Sequence, residues 1–144
     1  MPKVNVLFLC TANAARSQMA EAFLRRYGED TFKAFSAGLR PRGIHPFTIQ
    51  VMEEIGVSME GQFAKPFSDY MGKERFAYLI TVCAKAEEEC PKAFPGVALR
   101  MHWPFDDPLE AEGDEEERLQ KFRDVRDQIE QRIKEWVAEK QNSA

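Results

Sequence analysis

At 144 residues the chain is long enough for one domain with a substantial core. Apolar residues at 44% and charged residues at 31% are ordinary for a water-soluble protein, and no apolar run reaches membrane-spanning length. A net charge of −4 without a basic block argues against a nucleic-acid partner.

The start of the chain lacks the basic, apolar and small-residue pattern of a secretory leader, so a cytoplasmic location is expected. Three cysteines cannot all pair within one chain, and the cytosol disfavours structural disulfides. Cys10, Cys83 and Cys90 lack the close spacing of a zinc site, and His45 and His102 stand apart. No metal is expected, and thiol chemistry is the better reading of the cysteines.

Val4–Leu9 is a compact run of β-formers and reads as a buried strand. A loop of small and polar residues, Cys10–Ala15, follows. Ser17 opens a helix with Met19, Ala20, Phe23 and Leu24 on one face, closing at Tyr27-Gly28. Phe32–Ala37 is a second strand and Gly38–Gly43 a turn, in which Arg40 and Arg42 read as solvated. Pro46 suits the first turn of another helix, which ends before Gly56. Phe76–Val82 and Val97–His102 complete the strands, with His102 read as structural. From Gly113 to Glu139 an apolar stripe of Leu119, Phe122, Val125, Ile129, Ile133, Trp136 and Val137 marks a long helix. Acidic residues 114–117 favour its positive end. Strands alternating with helices imply an α/β fold in three layers, with a central four-stranded parallel sheet and helices on both faces. Residues 1–144 form a single domain in this reading. Ligands of such sheets bind beyond the carboxyl ends of the strands, where Cys10 stands.

The segment CTANAARS carries the chemistry. Thr11, Ala12, Asn13, Ala14 and Ala15 can wrap backbone N–H groups around a tetrahedral anion, and the next helix adds its free N-terminal N–H groups. Arg16 offers a planar fork to two oxygens. These positive groups are expected to lower the pKa of Cys10, the nucleophile, and the Ser17 hydroxyl can donate to its thiolate. Asn13 suits a left-handed backbone position.

These residues resemble the low-molecular-weight protein tyrosine phosphatase fold, shared by phosphatases and thioredoxin-coupled arsenate reductases. The resemblance runs from the first strand through the last helix, and CTANAARSQMAE is its most specific part. It implies that Asp107, before Pro108 in WPFDDP, is the general acid, with Asp106 the weaker candidate. Cys83 and Cys90, with six residues between them, match the reductases. Leu109 and Glu110 stand where the phosphatases typically carry tyrosines.

The resemblance therefore implies reduction of arsenate to arsenite by a relay through Cys10, Cys83 and Cys90, with thioredoxin as electron donor and no bound cofactor. Phosphate or sulfate would compete, and a monomer is expected. A phosphatase that passes through a phosphocysteine is the alternative, and a redox-sensing binding protein without turnover is a third reading. A regular helix would hold the Cys83 and Cys90 α-carbons ~10.5 Å apart. A disulfide needs less than ~7 Å. A redox switch is therefore expected across Cys83–Pro91.

Two departures carry expectations. Alanine at position 12 replaces the family's usual glycine and must take an ordinary backbone conformation or carry strain. Ala14 and Ala15 replace a serine and a cysteine found in many reductases. Some members of the family hold potassium with residues matching Asn13, Glu21 and Ser36 plus an aspartate, near whose place this chain has Lys65. An ammonium group there would substitute for the ion.

Overall fold

The computed structural model describes residues 3–90 and 94–142. In chain order the elements are β1 (Val4–Cys10), α1 (Arg16–Gly28), β2 (Phe32–Gly38), α2 (Pro46–Glu53), β3 (Phe76–Thr81), α3 (Ala84–Glu89), β4 (Val97–His102) and α4 (Glu115–Asn142). Two short 3-10 helices, Phe67–Asp69 and Pro108–Glu110, lie before β3 and before α4. The four strands pair in parallel in the order β2-β1-β3-β4. The expected fold class is the one observed.

Side chains of a strand alternate between faces. On one face, Phe32 of β2 stacks on Trp136 of α4 at 4.8 Å between ring centroids. Tyr78 of β3 meets the same indole edge-on at 5.1 Å. Phe8 of β1 reaches Trp103, which in turn packs edge-on against Trp136. Helix α1 packs beside α4 along this layer. Phe35, of the opposite parity to Phe32 plus two, packs edge-on against Tyr70, just past the first 3-10 helix. Val6, Leu7, Phe8 and Leu9 are fully buried between these layers, which explains why β1 is an unbroken apolar run.

Boundaries differ from the sequence reading by one to three residues, and each shift has a local cause. Helix α4 begins at Glu115 rather than Gly113 because Gly113 has φ +111° and Asp114 acts as the cap, its Oδ1 accepting from Glu117 N at 2.8 Å. Helix α1 starts one residue earlier than expected, at Arg16. β1 and β2 each run one residue further, to Cys10 and Gly38, because these two residues pair with one another. β3 ends one residue sooner, at Thr81.

The sheet order sets the site. β2 lies on one side of β1 and β3 on the other, so the connections after β1 and β3 diverge and leave a crevice between them. Leu9 is in register with Thr81, and Val82 N donates to Leu9 O at 3.0 Å. Cys10 and Cys83 thus emerge from neighbouring strand ends on the two sides of this crevice.

Candidate active site

The loop from Cys10 to Ala15 is clamped from outside. Leu39, Arg40, Arg42 and His45 donate backbone N–H groups to the carbonyls of Cys10, Thr11, Ala12 and Ala14, at 2.8–3.1 Å. These bonds fix the loop's backbone from its outer side. Gly38 makes the close approach possible: a Cβ there would stand 2.9 Å from Thr11 O and 3.0 Å from Asn13 N.

Asn13 is the one non-glycine residue at positive φ among those described, at 52°, as its position in the loop suggested. Ala12 takes an ordinary backbone conformation, so its departure from glycine carries no φ strain. The Asn13 side chain is fully buried and orders its surroundings. Its Oδ1 accepts from Lys65 N at 3.0 Å, and its Nδ2 donates to Ser17 Oγ at 2.7 Å and Ser36 Oγ at 3.1 Å. Ser36 in turn donates to Glu21 Oε1 at 2.6 Å. Ser17 therefore accepts from Asn13 and keeps its single proton for Cys10 Sγ, 2.8 Å away. Asn13 N also donates to that sulfur at 3.2 Å. Two donors aimed at one sulfur favour the thiolate.

Burial opposes them. It pushes the Cys10 thiol above its ordinary value, against the Ser17 hydrogen bond and the Arg16 charge, which pull it down. The lowered pKa expected from the positive surroundings is corrected by this geometry: the sulfur is 3% exposed, and the cost of desolvating its charge outweighs the donors.

Helix α1 begins on Ala15, which makes no side-chain cap, and its first turn carries no acidic residue. Its leading N–H groups and positive dipole end are open to an anion in the loop. Arg16 joins the loop to the acid segment, its Nη1 donating to Phe105 O at 3.0 Å and its Nη2 standing 3.5 Å from Asp107 Oδ2. The other Asp107 oxygen, Oδ1, accepts from Leu109 N at 3.0 Å. Asp106 also lines the cavity, but Lys121 of α4 holds its carboxylate at 2.9 Å and keeps its carboxyl below the usual range. Of the two carboxylates, Asp107 is the one beside Arg16 and Asp106 the one beside Lys121.

Cys10, Arg16, Asp107 and Cys83 line one cavity of about 640 Å³. The Cys83 thiol lies 3.5 Å from Thr11 Oγ1 and accepts from Ala86 N at 3.3 Å as the cap of α3. Cys90 closes the same helix. All three cysteines are free thiols and buried, and burial raises the Cys90 thiol. The segment between Cys83 and Cys90 is helical over Ala84–Glu89; Pro91 lies outside the described residues. Arg40 and Arg42, read from sequence as solvated, are exposed and also stand at the wall of this cavity. They follow the end of β2, whose neighbour is β1, and that adjacency was the available signal. Arg40 is also paired with Glu89 of α3 at 3.1 Å.

Beneath the loop, Lys65 Nζ donates to Phe63 O at 2.8 Å, reaches Ser36 Oγ at 3.4 Å and lies 3.6 Å from Glu21 Oε1. The ammonium stands among the residues that the resemblance assigns to potassium, and Asn13 Oδ1 is already taken by Lys65 N. These residues do not fit the ion. Exchanging potassium for sodium at constant ionic strength is expected to change catalytic efficiency less than about twofold. A large rise with potassium would overturn the substitution.

The model of the family described as low molecular weight phosphotyrosine protein phosphatase matches residues 5–143. The chain belongs to that family. Within it, the chain is 39% identical over 138 residues to the arsenate reductase of Shouchella clausii, covering 95% of this chain and 97% of the relative. Among solved structures it is similar to an arsenate reductase in the phosphate-binding state, with TM-score 0.78, 28% identity, and 94% and 98% of the two chains covered. A thioredoxin-dependent arsenate reductase of Corynebacterium glutamicum gives TM-score 0.73 at 31% identity, over 99% of this chain and 64% of that one. The phosphate-binding relative shares the fold that places this family member's Cys10 loop beside an uncapped helix. Among the described residues, no helix is long and apolar enough to cross a membrane.

Proposed function

We propose that this family member is a thioredoxin-dependent arsenate reductase working through three thiols. The Cys10 thiolate attacks arsenic(V) in arsenate cradled by the N–H groups of Thr11, Ala12, Asn13, Ala14, Ala15 and Arg16, while the Arg16 guanidinium holds two oxygens. Asp107 protonates the departing oxygen, which leaves as water. The Cys83 thiolate attacks the Cys10 sulfur; the sulfur–arsenic bond breaks, its electron pair stays on arsenic, and arsenite departs. Cys90 then attacks Cys83, returning the Cys10 thiolate and leaving a Cys83–Cys90 disulfide, which a thioredoxin dithiol reduces.

The observation that carries this reading is the placement of Cys83 on the strand end next to Cys10, in the wall of the same cavity, with Cys90 one short helix away. Hydrolysis of a phosphomonoester consumes no second or third thiol; in the phosphatase alternative the pair would serve only to protect Cys10 from oxidation. Arsenate-dependent NADPH consumption, with thioredoxin and thioredoxin reductase supplied, is the test. Consumption is expected in the parent protein and its disappearance in Cys83→Ser. No consumption by verified trithiol protein would leave the phosphatase reading in its place.

A further inference from the structure

Helix α3 is only six residues long, and Ala86 is its one buried residue. A helix this short does not hold itself together in water. Glu87 makes most of the contacts that hold it, beside the Arg40–Glu89 ion pair. The Thr81 hydroxyl, at the end of β3, donates to the Glu87 carboxylate in a short hydrogen bond. That uses its only proton, so His102 Nδ1 must be the donor in the 2.9 Å contact with Thr81 Oγ1. The same nitrogen lies 3.7 Å from Glu87 Oε2. From β4, Arg100 Nη2 donates to the Glu87 carbonyl at 2.8 Å and stands 3.5 Å from its carboxylate. Arg100 Nη1 reaches the Cys90 carbonyl at 3.5 Å. Two strand ends thus grip the last turn of the helix chiefly at Glu87, with Arg100 also reaching the Cys90 carbonyl and Arg40 pairing with Glu89.

That grip is incompatible with a Cys83–Cys90 disulfide. Cys83 and Cys90 cap the two ends of the helix, seven residues apart, and a helical rise over that span puts their α-carbons ~10.5 Å from one another. The bond requires less than ~7 Å. Cys83 leads directly out of β3, so the last turn of α3 has to move, while Thr81, Arg100 and His102 belong to the sheet. We infer that Glu87 is a positioning residue that holds Cys83 and Cys90 in the dithiol form, and that its release accompanies disulfide formation and sets the reduction potential of the pair.

The inference rests on the proposed relay, and the experiment separates the two. Full-length Cys10→Ser protein, in which only Cys83 and Cys90 can pair, is equilibrated with mixtures of reduced and oxidised dithiothreitol. The protein dithiol loses two electrons and two protons to the reagent disulfide as its own disulfide forms, and alkylation followed by mass measurement reads the fraction. Adding Glu87→Gln or Thr81→Val is expected to shift this equilibrium about tenfold toward the disulfide, which makes the potential about 30 mV more negative. Glu88→Gln, which removes the same charge from the exposed side of the helix, is expected to leave it unchanged. Should Glu87→Gln fail to fold, Thr81→Val carries the test, since it replaces a hydroxyl by a methyl of the same shape. Equal potentials in the parent and the Glu87 and Thr81 variants would overturn the role of Glu87 and leave the relay standing. Failure of the Cys83–Cys90 disulfide to form at any ratio would overturn both.

Discussion

Replacing Arg16 by lysine is expected to lower kcat/KM for arsenate by about 10²–10³, the cost of removing one well-placed donor from a developing anion. The charge survives and the fork does not. In this protein the guanidinium also ties the loop to the acid segment, through Phe105 O at 3.0 Å and Asp107 at 3.5 Å. A lysine ammonium cannot make those bonds and bind two substrate oxygens together. The loss is therefore expected in kcat as well as KM, because the acid drifts along with the lost contact. The coupled assay at several arsenate concentrations measures it, and phosphate inhibition should weaken in parallel. A variant within threefold of the parent would show that the guanidinium geometry is dispensable.

Trp136→Ala is expected to cost about 3–5 kcal/mol of stability. At this chain length that is a fall in Tm of about 10–15 °C. The indole is 3% exposed and joins Phe32 of β2, Tyr78 of β3 and Trp103 just past β4. Removing it opens a cavity at the centre of the α4–sheet layer. The effect on chemistry is indirect: Trp103 N donates to Thr81 O at 2.8 Å, and the segment leading to Asp107 starts there. A looser Trp103 lets that segment shift, so kcat should fall at temperatures where the variant is still folded. Calorimetry and the assay at a low temperature separate the two losses.

Much of the site could be read from the residues in order, because its parts are local. Cys10 to Ser17 form one loop and one helix start, and strand, loop and helix follow directly in the sequence. Val97–His102 has the expected bounds, although Val97 is its one strong β-former, and its pairing with β3 holds it in the sheet. The missing parts depend on contacts across the chain. Residues 84–89 have no apolar period to announce a helix, since α3 is held by Thr81, Arg100 and His102 rather than by a buried stripe. Arg40 and Arg42 look like an ordinary polar turn until β2 is set beside β1. The direction of the Cys10 shift was misread for a similar reason. The positive groups around it can be listed from sequence, but the depth at which the sulfur is buried cannot.

The clamp on the Cys10 loop has a consequence for choosing between similar ions. Four backbone N–H groups from the neighbouring turn, and Asn13 from within, fix the cradle before any substrate arrives. Its ordering entropy is spent during folding, so an incoming ion meets a preorganised mould. Such a mould rewards shape and charge, and in these arsenate and phosphate are near twins. If the proposed function holds, selection at the binding step is expected to be weak, and phosphate is expected to act as a reversible competitor that is not consumed. Discrimination falls to the step after capture, where arsenic accepts an electron pair from sulfur and phosphorus does not. Fidelity here is set by which atom can be reduced, and the rigid loop leaves that decision to the thiols.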